Sequence, residues 1–147
     1  MFKAAIVFSI ITIVFHISAF VHEAFLITQP VVAERIVSIN AAAVDVALMD
    51  QIEILKVLFF NQGFYNLFLA LGGVAGLLLL HKGKQAQGLT LLVNMCCFAV
   101  GAGLILSLTT TAYPLAFLQA GPPLTALIGF YFWFKRVGFK HVASVST

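Results

Sequence analysis

The chain has 147 residues, of which 62% are hydrophobic and only 9% charged. No soluble domain of that length has enough interior to hide so much apolar surface, so lipid must be the solvent for much of it. The net charge of +3 comes without any basic cluster interleaved with aromatics, which argues against nucleic acid as a partner.

Four apolar runs are long enough to cross a hydrocarbon layer of about 30 Å as helices. They fall at about 4–27, 57–80, 88–108 and 114–134. Each is continuous, unlike the short alternating segments of a barrel. The expected architecture is all-α: one integral membrane domain over residues 1–147, an up-down-up-down bundle of four transmembrane helices.

The first run, Ala4–Ile27, is broken only by Ser9, Thr12, His16, Ser18, His22 and Glu23. It exceeds a secretion-signal core in length and is read as a retained span. Glu23 is the one acid inside a span; Glu34, Asp45, Asp50 and Glu53 crowd into the following loop. A carboxylate on a spanning helix is expensive, so it is usually there for a task or a buried partner. His16 lies seven residues earlier, about 20° from the same face, where it is placed to relay a proton. His22 points about 100° away.

The loop at about 28–56 is expected outside. Pro30 is expected to end the first helical region, because the residue before a proline is steered out of the α basin. Ala41–Lys56 reads as helical, with Asn40 as one cap and Asp50-Gln-Ile-Glu53 as a capping box leading into the second span.

The second span opens with Asn61-Gln-Gly-Phe-Tyr-Asn66. In helical projection Asn61, Gln62, Tyr65 and Asn66 fill an arc of about 140°, continued by Gly72, Gly73 and Gly76. Phe60, Phe64, Leu67, Leu71, Val74 and Leu78 occupy the other side, which suits lipid. Small residues let helices approach and amides bond across them, so the polar-then-small face is expected inside. The third span offers Asn94, expected to join helices, with Gly101 on its face. Its adjacent Cys96 and Cys97 lack a reactive Cys-x-x-Cys spacing and read as packing residues. In the fourth span, Gln119-Ala-Gly-Pro-Pro123 removes two backbone donors and is expected to break the helix beside protein or a wet cavity.

Basic residues orient the chain. Lys3, Lys82, Lys84, Lys135, Arg136 and Lys140 share one side of a four-span protein, whereas Arg35 and Lys56 lie on the other with the loop acids. The positive-inside rule then places both termini, and the tail at about 135–147, in the cytoplasm.

Depth along each helix gives an expected site: an upper layer of Glu23, Asn61, Gln62 and Gln119 above a lower layer of His16, Tyr65 and Asn66, in a pocket opening outward. No metal cluster and no nucleophile–base pair accompany it, so neither metal nor cofactor is expected. Three functions compete. One is binding or proton-coupled transport of a small amphipathic ligand; another is a membrane enzyme with Glu23 or His16 as acid/base; the third is an accessory subunit whose amides merely join helices.

The chain resembles the small four-span bacterial membrane proteins grouped as domain of unknown function thirteen-oh-four. The resemblance rests on His16…Glu23-Ala-Phe25, Asn61-Gln-Gly-Phe-Tyr-Asn-Leu-Phe-Leu-Ala70 and Gln119-Ala-Gly-Pro122. It implies a compact four-helix membrane fold with these residues as hallmarks, and it implies no activity. The chain departs from the family pattern at Ile27, where a tryptophan is expected, and in a less basic loop over Val31–Met49.

Overall fold

The computed structural model describes residues 1–38 and 47–137. They form helices α1 (Phe2–Val21), α2 (Pro30–Ser38), α3 (Leu48–His81), α4 (Gln85–Thr109) and α5 (Tyr113–Val137). A π turn over His22–Leu26 extends α1. Four of these helices are long and apolar enough to cross a membrane: Phe2–Leu26, Met49–His81, Gln85–Thr109 and Tyr113–Val137. Helices are what such runs must form in lipid, because every backbone N–H and C=O needs a partner within its own segment.

The four long helices close a ring in the order α1, α3, α4, α5. Each packs against its two neighbours, and α1 meets α4 only slightly across the diagonal. The result is an up-down-up-down bundle. Close approach depends on missing side chains: a Cβ on Gly88 would lie 2.7 Å from the Gly76 carbonyl, and one on Gly103 would lie 2.8 Å from the Ala120 methyl. Between these contacts sits the core of Ala5, Ile13, Ala70, Leu92, Met95 and Phe130, among others. Phe2 closes the end that carries the N-terminus, with its ring 4.7 Å from that of Trp133.

The α3–α4 turn explains its own sequence. Gly83 takes φ 77°, a conformation that costs glycine little. The Gly83 and Lys84 N–H groups then reach back to the carbonyls of Leu80 and Leu79 at 3.0 and 2.9 Å, which caps α3.

Several expectations are corrected. Pro30 does not end the first helix, which stops at Leu26; it opens α2 instead, at a position where its missing N–H costs nothing. The Asp50–Glu53 capping box does not start a helix, because α3 is already under way from Leu48 with Ala47 at its cap. Asn40 and the part of the expected Ala41–Lys56 helix at 41–46 lie outside the described residues, as does the tail from 138.

Pro122 and Pro123 do not break α5, which runs through both. Gly121 precedes Pro122 and has no Cβ for the proline ring to strike, which removes part of the usual conflict. What remains is the loss of two donors, so the Leu118 and Gln119 carbonyls lack their helical N–H partners.

Candidate functional site

The polar groups gather where the end of α1 meets the middle of α3, at the end of the bundle away from residue 1. Here the backbones of α3 and α1 press together: a Cβ on Gly63 would stand 3.0 Å from the Ala24 backbone nitrogen and 3.2 Å from the Phe20 carbonyl. Any side chain at 63 would push the two backbones apart. On one flank of Gly63 lie Gln62 and Asn66, one helical turn apart, so their amides project side by side.

Opposite them is the π turn of His22–Leu26, which contains Glu23. A π turn fits one extra residue into a helix and rotates the side chains beyond it relative to those before. The Asn66 Nδ2 donates to Glu23 Oε2 at 2.7 Å, and the Gln62 Nε2 donates to Oε1 at 3.1 Å. Each carboxylate oxygen therefore accepts one amide from the neighbouring helix. A carboxylate has about four acceptor positions, so room for further donors remains. Glu23 is half-buried and Gln62 is exposed, which keeps the cluster reachable from outside the bundle.

The next turn holds an aromatic seam on the other flank of Gly63. Phe20 sets its ring 5.2 Å from Phe25 and 5.1 Å from Phe64, both edge to face. These contacts hold the π turn against α3 and add to the close packing at Gly63.

Of the seven residues expected at the site, Glu23, Gln62 and Asn66 meet. The other four do not join them. Asn61 and Tyr65 are exposed, Tyr65 by 67%, because both lie about 160° round α3 from Gly63. The projection that puts them inside gives weight to amides and a hydroxyl; the packed face is instead set by Gly63, Ala70, Gly73 and Gly76, all buried.

Gln119 sits deeper than expected. Gly129 of α5 packs on Ala5 of α1, with a Cβ position 3.0 Å from the Ala5 methyl. Counting equal distances along the two antiparallel helices from that contact brings Leu118 and Gln119 level with His16, about two turns below Glu23. No hydrogen bond joins Gln119 to the cluster among the described residues.

His16 is fully buried. Its Nδ1 lies 2.8 Å from the Thr12 carbonyl oxygen, which accepts only, so Nδ1 carries the proton and donates. That leaves Nε2 as an acceptor, and among the described residues no hydrogen-bond partner reaches it. The imidazole fits because the other helices offer small residues at its level: Ala70, Gly103 and Ala120. No chain of side-chain hydrogen bonds connects His16 to Glu23 among the described residues.

His22 is exposed, with Nδ1 donating to the Ser18 carbonyl at 2.8 Å. Lys56, higher on α3, pairs with Glu53 on its own helix. A shallow groove lies elsewhere, between α4 and α5, lined by Gly103, Ser107, Tyr113, Ala116 and Phe117, and it includes none of the seven. Sequence reasoning passes over this groove because its lining carries no charged or amide side chain. Among the described residues no three His, Cys, Asp or Glu side chains converge as a metal site would need.

A bundle of four spanning helices with one amide-held carboxylate near its end defines a small polytopic membrane protein. Within that class its family is settled by comparison. Residues 10–131 match the model of the family described as protein of unknown function (DUF1304), and the chain belongs to that family. No curated protein and no solved structure matches it.

Proposed function

We propose that the protein binds a small amphipathic molecule at the level of Glu23, with the carboxylate as its charged contact and the apolar tail along the exposed face of α3. The supporting observation is the clamp itself: each Glu23 oxygen is held by one amide of α3, while spare acceptor positions stay reachable. An acceptor-only group complements a cationic or hydrogen-bond-donating head. Tyr65, exposed, and Leu69, half-buried, lie on the Gln62 and Asn66 flank of α3 and provide apolar surface for a tail. The basic residues at the termini and at the α3–α4 turn support an orientation with both termini in the cytoplasm of a bacterial inner membrane. In that orientation the Glu23 cluster faces outward.

Binding is favoured over proton-coupled transport because, among the described residues, no hydrogen-bonded partners link His16 to Glu23. It is favoured over catalysis because, among the described residues, no base–nucleophile pair faces the cluster. The helix-joining reading has its own support, since the same two hydrogen bonds connect α1 to α3. The two separate experimentally. Thermal stability of the purified protein is measured with dodecylamine and with dodecanol, an uncharged chain of equal length. The proposal expects stabilisation by the amine alone in the wild type and none in Glu23→Gln. Equal response to both probes, or an unchanged amine response in Glu23→Gln, contradicts it and leaves the joining role.

A further inference from the structure

We infer that the outward face of α4 is the contact between two copies of this chain, centred on Asn94. The inference is independent of the Glu23 site.

Asn94 is the wrong residue for a face turned to lipid. It lies nine residues into α4, about 14 Å along a helix of about 37 Å, and so deep in the hydrocarbon layer. Its side chain is exposed and makes no hydrogen bond among the described residues, contrary to the helix-joining role expected of it within the bundle. The hydroxyls around α4 do not share this problem. Thr90 donates to the Ala86 carbonyl at 2.8 Å, Ser107 to Leu104 at 2.7 Å and Thr109 to Ile105 at 2.9 Å. An amide has no such recourse in lipid and needs a partner from outside the chain.

Gly101 is the second observation. It lies seven residues on, about 20° from the same face. The glycines at 88 and 103 on α4 are explained by neighbours that a Cβ would strike, but a Cβ on Gly101 would meet nothing within 4 Å. Its missing side chain serves no packing inside the bundle. A second helix lying over Asn94 would use it, since small residues let membrane helices close together.

The depth of Asn94 selects a second copy as that helix. Copies inserted the same way carry Asn94 at identical depth, so a two-fold contact sets one amide against the other. A primary amide both donates and accepts, so the pair is self-complementary. A different protein would have to bring its own polar group to that depth.

Cys97 is exposed on the flank of this face, whereas Cys96 is buried, so the chain carries its own reporter. Full-length protein in native membranes is treated with a short bifunctional maleimide, and its association is measured in detergent micelles. The inference expects a cross-linked dimer that disappears in Cys97→Ser. It also expects dimer dissociation constants raised roughly 3- to 20-fold in Asn94→Leu and at least as much in Gly101→Ile, with helical content unchanged. A monomer without Cys97 cross-linking overturns it. So does cross-linking of Cys97 to a different protein, or a dimer that neither substitution weakens. Should either variant fail to fold, the wild-type cross-link and the Cys97→Ser control decide alone.

Discussion

Glu23 and His16 sit on one helix, about two turns apart, and the bundle treats them in opposite ways. Glu23 is half-buried, and both its oxygens have partners on α3. His16 is wholly buried, and one of its two nitrogens has none among the described residues. The carboxylate is secured by a neighbouring helix at an end open to the surroundings. The imidazole is secured only by its own helix, through the Thr12 carbonyl. A polar group that links two helices and stays reachable is placed to meet a ligand. One that is enclosed by small residues is placed first to fill space.

That contrast breaks most visibly at His16. Removing the ring in His16→Ala leaves a cavity among residues that are already small, and is expected to cost about 2–4 kcal/mol in thermal or chemical unfolding. His16→Leu restores most of the volume and discards the unpartnered Nε2, so it is expected to stay within about 1 kcal/mol of the wild type. A large loss in His16→Leu as well would mean that the imidazole nitrogen is needed, and would return His16 to the working site.

On the Glu23 side the sharpest lever is Gly63. A leucine there forces α3 away from the Ala24 nitrogen and is expected to cost about 1–3 kcal/mol and to abolish the dodecylamine response. Gly72→Leu is the control, because a Cβ there meets nothing within 4 Å; a change within about 0.5 kcal/mol is expected. Asn66→Leu, which unpairs one half-buried carboxylate oxygen, is expected to cost about 1–2 kcal/mol. Gln62→Leu has the smallest effect, within about 0.5 kcal/mol, because the side chain is exposed and its bond longer.

Much of this fold is legible in the sequence, and for a simple reason. Apolar runs of about 20 residues have few options in lipid, so the four spans and their alternation follow from Ala4–Ile27 and its three successors. The pairing of Glu23 with Gln62 is legible too, since both are expected in the upper layer. Asn66 is expected in the layer below and reaches Glu23 instead, because amides four residues apart share a helical flank. The rest is hidden for specific reasons. His22-Glu-Ala-Phe-Leu26 carries no local mark of a π turn; the turn arises where α3 closes on Phe20 and Ala24 through Gly63. The rule that polar side chains turn away from lipid assigns Asn61 and Tyr65 to the interior. In this bundle the small residues select it. The fate of Pro122 turns on Gly121 before it, and that of Asn94 on a helix rotation that its neighbours in sequence do not specify.

If Glu23 and Asn66 act as one unit, a double-mutant cycle measures it directly. Unfolding free energies are compared for wild type, Glu23→Ala, Asn66→Leu and the double variant. The predicted coupling is about 0.5–3 kcal/mol, with the double variant costing less than the two single changes together. Strict additivity would contradict it: Glu23 would then stand alone at the end of its helix, and the clamp proposed to present it to a ligand would not exist.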